Sequence, residues 1–180
     1  ENTLTDAGRR LATDLGLTQT MATTNNPSDV IGEDVLPSTP EFEPGKHYDR
    51  EAIHYAYGGA KYRGISTPAD TPIVLLFTGE SGDEHGYEDG FEDDGIFVYT
   101  GEGREGDMRM ERGNAAIRDH KESGETLHLF QSTDEAWVVR YIGEFEYVTH
   151  RVERLSDTNN DEREAFRFEL KPINEIAEFQ

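Results

Sequence analysis

The chain has 180 residues, of which 34% are hydrophobic and 10% aromatic, enough for one domain with a real core and too few for two full ones. No run of about 18 apolar residues occurs, the opening ENTLTDAGRR lacks the basic and apolar regions of a secretory leader, and the lack of cysteine excludes disulfides and thiolate metal sites. The formal charge of −21 argues against a partner gripped by a broad basic face; the expectation is a soluble, cytoplasmic piece of a longer protein, since an initiator Met is missing.

In chain order, Leu4, Ala7, Leu11, Ala12 and Leu15 recur at helical spacing, with Thr5 as N-cap and Gly16 as stop, which predicts a short helix. The Pro-, Thr- and Asn-rich residues 17–45 carry no period and read as a linker or extended wrap. The division expected is therefore 1–45 as N-terminal helix and linker, which could end a preceding domain, and 46–180 as the folded domain. A second helix is predicted at Asp49–Tyr57, stopped by Gly58 and Gly59, and the continuous apolar run Ile73–Phe77 predicts a strand buried on both faces. Ile96–Tyr99 and Thr126–Phe130 read as further strands, with a short helix at Asn114–His120 between them. In WVVRYIGEFEYV, Trp137, Val139, Tyr141, Phe145 and Tyr147 fall on one face at period two, opposite Arg140, Glu144 and Glu146, so a long half-buried strand is expected with Gly143 as a bulge or bend. The turn LSDTNNDERE then leads to Phe166, Phe168 and Leu170, which alternate with Arg167 and Glu169. The fold class expected is α+β and mainly β: a curled, partly closed, barrel-like sheet with short helices outside it.

The stretch GYEDGFEDDGIFVYTGEG, Gly86 to Gly103, crowds carboxylates, glycines and aromatics together. A calcium loop needs oxygen ligands at alternate positions, and frames starting at Asp83 or Asp89 place His85, Tyr87 and Phe91 there instead. The six histidines include no pair spaced for a metal on one helix face, and no HNH nuclease motif is present. His54 and His128 lie in apolar contexts and read as packed histidines, whereas His85 flanks the acidic stretch. There is no nucleophile elbow and no phosphate-cradling loop. A stand-alone hydrolase using Glu88, Asp89 and Asp93 would need a divalent metal. An acidic cation-binding or protein-interaction module with no preference for DNA is the other reading of the residues alone.

The make-up of the charge is informative as well. Basic residues are 13 Arg against four Lys, and acids spread along the whole chain, a pattern similar to proteins of salt-loving microbes, archaeal ones among them. In molar salt the Debye length falls to about 3 Å. Repulsion within the acidic surface is then screened, as is repulsion from a polyanionic partner, so local contacts decide binding.

Read in order, Gly64-Ile65, Ile73 to Leu75, GYEDG at Gly86–Gly90, YTGEG at Tyr99–Gly103, Gly106-Asp107 and GNAAI at Gly113–Ile117 resemble the SRA (YDG) domain. The run from Gly86 to Phe130 is most similar to the SRA-like domains attached to HNH endonucleases of microbial modification-dependent restriction. The resemblance spans roughly Tyr48 to Tyr147. It implies an SRA or PUA-like barrel that flips a modified cytosine, 5-methyl or 5-hydroxymethyl, out of double-stranded DNA and cages it between two aromatic rings. A carboxylate and backbone groups would read the base edge. The implied base-binding residues are Tyr87, Tyr99, Thr100, Asp89, Glu88 and Ile65. The family's carboxylate three residues after the first tyrosine is here Gly90, so Asp89 is its first substitute, with Glu88 and Asp93 behind it. Arg63, Arg104, Arg109, Arg112 and Arg118 are expected on the DNA backbone, since guanidinium grips phosphate bidentately. The resemblance implies no catalytic residue, metal or cofactor in this chain. A divalent metal would belong to a parent nuclease, through which a homodimer could form.

Overall fold

The computed structural model describes residues 40–79 and 88–180. The predicted helix at Leu4–Leu15 and the residues His85 and Tyr87 lie outside the described residues. The order of elements is β1 (His47–Asp49), α1 (Arg50–Tyr57), β2 (Ile65–Ser66), β3 (Ile73–Thr78), β4 (Gly90–Phe91), β5 (Phe97–Thr100), α2 (Arg112–Asp119), β6 (Thr126–Ser132), β7 (Val138–Ser156) and β8 (Glu162–Pro172). The strands form one mainly antiparallel sheet in the order β2-β3-β6-β7-β8-β5-β4, with β1 paired to β7. Only β3 and β6 run parallel. The sheet is open, because its end strands β2 and β4 do not pair with each other.

Local chemistry sets the elements. In α1 the Asp49 carboxylate accepts from the amides of Glu51 and Ala52 at 2.8 and 3.2 Å, satisfying two of the donors a helix start leaves free. At the other end Gly58, at φ +94°, donates to the His54 carbonyl. All six residues of β3 are buried, and their period-two alternation divides them between two cores. Val74 and Leu76 join Phe97, Tyr99, Ile117, Leu129, Phe145 and Phe168 on one face. Ile73, Leu75 and Phe77 join Ile53, Phe130, Val139 and Tyr141 on the other. Phe42, four residues ahead of the expected domain start, packs edge-on against Tyr48 and Phe130, 5.3 and 5.0 Å between ring centres. His128 is buried as its sequence context predicts; it bonds to Thr126 and Tyr141, and burial pushes its imidazole down to about 4.

The long strand departs from the single apolar face expected of it. Trp137 is not in the strand: it precedes β7 at φ +66°, the left-handed region. Val139 and Tyr141 face one core, whereas Phe145 faces the other. The switch occurs where Leu129 pairs with Gly143 but Phe130 pairs with Tyr141, so Ile142 is an extra residue. A one-residue bulge reverses the facing of everything beyond it. Gly143 is required there by close approach, since a Cβ would lie 2.5 Å from the Ile176 side chain of the C-terminal segment, whose Ala177 amide donates to the Ile142 carbonyl. Among the described residues no helix is long and apolar enough to cross a membrane.

Candidate functional site

Strand β5 carries the centre of the site. All four of its residues are buried, β8 pairs with each of them and β4 with Phe97 and Val98, and Tyr99 and Thr100 line a cavity of about 300 Å³ together with Ile65, Phe77, Thr78 and Asp89. The Tyr99 ring is 3% exposed, and its hydroxyl lies 3.0 Å from the carbonyls of both Gly64 and Phe77, which share its one proton. Burial, together with the charges of Asp89 and Glu102, raises the phenol well above its ordinary range.

Asp89 is drawn inward to the same point. Its carboxylate accepts from the Thr78 hydroxyl at 2.7 Å and from the Thr100 amide at 2.8 Å, tying β3, the segment before β4 and β5 together. Burial lifts its carboxyl above the usual carboxylate range, against the pull of those hydrogen bonds and of Arg167. A carboxylate has about four lone-pair sites, so two donors leave acceptor capacity for a further N–H donor. Glu88, next to it, is exposed and does not line the cavity; its carbonyl accepts from Arg167 at 3.1 Å while the same guanidinium donates to the Thr100 hydroxyl at 2.7 Å.

Beside this cavity lies a second of about 510 Å³, separated from it by the segment Glu102–Arg104, and four of the five arginines expected on DNA line it: Arg63, Arg104, Arg109 and Arg112. Arg112 holds φ +51°, a conformation costly for a side-chain-bearing residue. Arg118 is not in this group. It is exposed on α2 and forms a two-bonded pair with Asp119 at 2.7 and 2.8 Å.

Several residues that hold the site together carry no signal in a linear reading. The side chain of Glu111, the cap position of α2, makes no capping bond. Glu102 supplies it from elsewhere: its carboxylate accepts from the Gly113 amide at 2.9 Å and from Arg63 at 3.0 Å. Asn114, buried, accepts from the Glu102 amide and donates to the carbonyls of Glu102 and Arg109. The glycines between them are set by contact: a Cβ on Gly101 would meet the Asn114 side chain at 2.7 Å, and one on Gly113 would meet Glu102 at 2.6 Å and Ile65 at 2.9 Å. The motifs YTGEG and GNAAI are thus two halves of one lock. On the other side the β7–β8 turn fastens the same loop. Asp157 accepts from the Gly106 amide at 3.0 Å, Thr158 donates to the Arg104 carbonyl at 2.8 Å, and buried Arg163 donates to the carbonyls of Gly103 and Gly106. Backbone donors to Asp157 hold its carboxyl below its ordinary value, opposite in direction to Asp89 on the same cavity.

Among the described residues the chain is an open mainly-β sheet with two short helices, the fold of an SRA domain. The sequence profile of the ScoMcrA-like SRA domain matches residues 44–179, and the chain belongs to that family. It is similar to a structure of the sulfur binding domain and SRA domain of ScoMcrA complexed with phosphorothioated DNA, at 27% identity and a TM-score of 0.60 over 74% of this chain and 40% of that one. The phosphorothioation-dependent restriction endonuclease ScoMcrA, a Type IV enzyme, matches with the same identity and score, and the match takes in 28% of its length. The chain thus corresponds to well under half of either relative. The SRA domain of SUVH5, complexed with hemi-methylated CG DNA, shares the fold at 17% identity and a TM-score of 0.57 over 79% of this chain and 97% of that one. No curated protein sequence matches the chain.

Proposed function

We propose that this domain reads a modified cytosine in double-stranded DNA by flipping it into the cavity at β5, and that it is the recognition part of a modification-dependent restriction endonuclease working in a salt-rich cytoplasm. The observation that carries the reading is the convergence of Asp89, Tyr99, Thr100 and Ile65 on one cavity, with the Asp89 carboxylate fixed by the Thr100 amide. In this reading Asp89 takes the place of the acid missing at Gly90 and accepts from the cytosine amine. Tyr99 and Tyr87 are the two walls, and Ile65 borders the 5-substituent. Arg104, Arg109 and Arg112 hold the flanking phosphates, and Arg63 joins them by exchanging Glu102 for phosphate. Extruding a base costs a few kcal/mol, and stacking on aromatic rings returns about 1 to 3 kcal/mol per base, so two rings and an edge-reading carboxylate balance the cost. The relatives support the class of ligand: they were seen with phosphorothioated DNA and with methylated DNA.

The test is binding to duplexes carrying plain, 5-methyl- or 5-hydroxymethylcytosine over a salt series, with a phosphorothioate-linked duplex of plain bases as a control for backbone recognition. The expected result is tighter binding to a 5-modified cytosine than to plain and phosphorothioate duplexes alike. Equal affinity for all four at every salt concentration overturns it.

A further inference from the structure

Two large aromatic side chains stand out on the surface near the arginine-lined cavity. Tyr62 is 79% exposed and lines that cavity beside Arg63, while Trp137 is 39% exposed in the turn before β7. Their rings meet edge to face, 5.6 Å between centres, and the Lys61 ammonium lies 5.6 and 5.5 Å from them. Trp137 sits at φ +66°, a conformation bulky residues avoid, and its carbonyl is anchored by the Arg50 amide at 2.7 Å. The chain therefore accepts backbone strain to present its one tryptophan outward, in contact with the tyrosine at the rim of the site. Neither ring is needed for the core, since neither belongs to the two buried clusters.

We propose that Tyr62 and Trp137 form a stacking platform for a nucleobase of the same duplex, one that loses its stacking neighbour when the modified cytosine leaves the helix. The proposal rests on the function proposed above. Three properties of the patch favour a nucleobase over a protein side chain as occupant. It is continuous with the arginine-lined cavity, so a strand whose phosphates lie on Arg104, Arg109 and Arg112 passes Tyr62. Lys61 and Arg63 beside it are each held by a carboxylate, Glu51 and Glu102, while Arg104, Arg109 and Arg112 on the same cavity make no ion pair among the described residues and present guanidinium forks that suit phosphate. The two rings stand at 77° to each other, so a base stacks on the face of one of them; an aromatic face accepts any base, because every base has a π face, and such stacking is worth about 5- to 150-fold in affinity per base.

Because Trp137 is the only tryptophan, its fluorescence reports on this patch alone. The intact chain is titrated with duplexes containing 5-methylcytosine or plain cytosine while DNA anisotropy and tryptophan emission are recorded together. The expected result is quenching of Trp137 with the same midpoint as the anisotropy change. Tyr62→Ala is expected to weaken binding to the 5-methylcytosine duplex by at least about fivefold and binding to the plain duplex less, because only an extruded cytosine leaves a base without its neighbour. Trp137→Phe, which keeps an aromatic face, is expected to bind nearly as the parent chain does. Unchanged emission at saturation, together with parental affinity of Tyr62→Ala, overturns the platform even when modified DNA is preferred. Equal curves for modified and plain duplexes overturn the reading of the base modification instead, and leave the platform to be decided by emission and Tyr62→Ala. Absence of any DNA binding overturns both, and a protein partner for the patch then becomes the reading to pursue.

Discussion

The arginines beside the cavity and those on the β7–β8 hairpin live in different chemical settings. On the hairpin, Arg151 contacts three carboxylates, Glu92, Glu153 and Glu169, at 2.6 to 2.9 Å; Arg154 contacts Glu162, and Arg167 lies 3.7 Å from Glu153. At the cavity, Arg104, Arg109 and Arg112 are exposed and make no ion pair among the described residues, and only Arg63 has one, with Glu102. A chain with 38 acids and 17 bases has carboxylates to spare for every arginine. Three without an ion pair among the described residues keep their guanidinium forks available on one rim for phosphate, which would otherwise have to displace a carboxylate. The net charge therefore says little about the partner, whereas the local pairing says a good deal.

The comparison breaks most severely if the lock between the two motifs is opened. Gly113→Ala places a methyl group 2.6 Å from Glu102, whose carboxylate caps α2 and holds Arg63. Destabilisation of about 1 to 3 kcal/mol is expected from such overpacking, measured by urea unfolding, with loss of DNA binding at concentrations where the chain remains folded. Gly90→Ala meets nothing within 4 Å and serves as the control, with near-parental stability.

Next in size is the carboxylate. Asp89→Asn keeps the shape but has one acceptor oxygen for two donors, and affinity for modified duplex is expected to fall about 10- to 100-fold, the range for hydrogen bonds to charged groups. The same variant has a signature in pH. Since burial raises the folded-state pKa of Asp89, the folded chain keeps that proton to higher pH than the unfolded chain does. Its stabilising contribution is present below the ordinary carboxylate value and is lost as pH rises through the lifted one. Asp157, shifted down, contributes with the opposite sign: its stabilisation is present above the ordinary value and is lost as pH falls through the depressed one. Subtracting the stability-versus-pH curve of Asp89→Asn from the parent's should leave a difference that declines with rising pH. A flat difference would mean that burial of Asp89 does not outweigh its hydrogen bonds and Arg167.

Neutralising the open arginines tests the distinction directly. Arg104→Gln and Arg109→Gln are expected to leave stability within about 0.5 kcal/mol, as for ordinary surface changes. Each should weaken DNA binding evenly across sequences and lower the salt slope by about 1. Arg112→Gly also relieves a left-handed residue, so its stability is expected to hold within about 1 kcal/mol while affinity drops.

How much of this was legible in the sequence follows from the range of each interaction. The run at Ile73–Phe77 announced a strand buried on both faces because alternate residues serve two cores, and Asp49 and Gly58 marked the ends of α1 within a few residues of the helix they bound. Strands β1, β2 and β4 are two or three residues long, too short for any period to show. The bulge at Ile142 was foreseen as a bend near Gly143, but the reversal of facing was not, since it depends on pairing with Leu129 and Phe130. At the site, Asp89, Tyr99 and Thr100 came from a motif and do line one cavity. Glu102, Asn114, Asp157 and Arg163 were missed because the contacts by which they tie the two motifs and the turn together reach 11 to 60 residues along the chain. Arg118 was grouped with the cavity arginines on sequence proximity alone; it is exposed on α2, outside the cavity lining, and pairs with its neighbour Asp119.

The smallest effect belongs to the hairpin. Arg151 is about a third exposed, and exposed ion pairs are each worth about 0.2 to 1 kcal/mol, so a three-carboxylate network held at this depth should contribute about 1 kcal/mol at low salt. Arg151→Gln removes the cation and leaves Glu92, Glu153 and Glu169 facing one another, with Arg167 still near Glu153. The loss should therefore appear in dilute buffer and shrink in molar salt, where the Debye length of about 3 Å is comparable with the separations in the network. DNA affinity is expected to be unchanged, because the guanidinium is already occupied by acids. If Arg151→Gln weakens DNA binding as much as Arg104→Gln does, pairing with carboxylates does not mark which arginines are free for phosphate, and the hairpin would have to be counted as part of the DNA-binding surface.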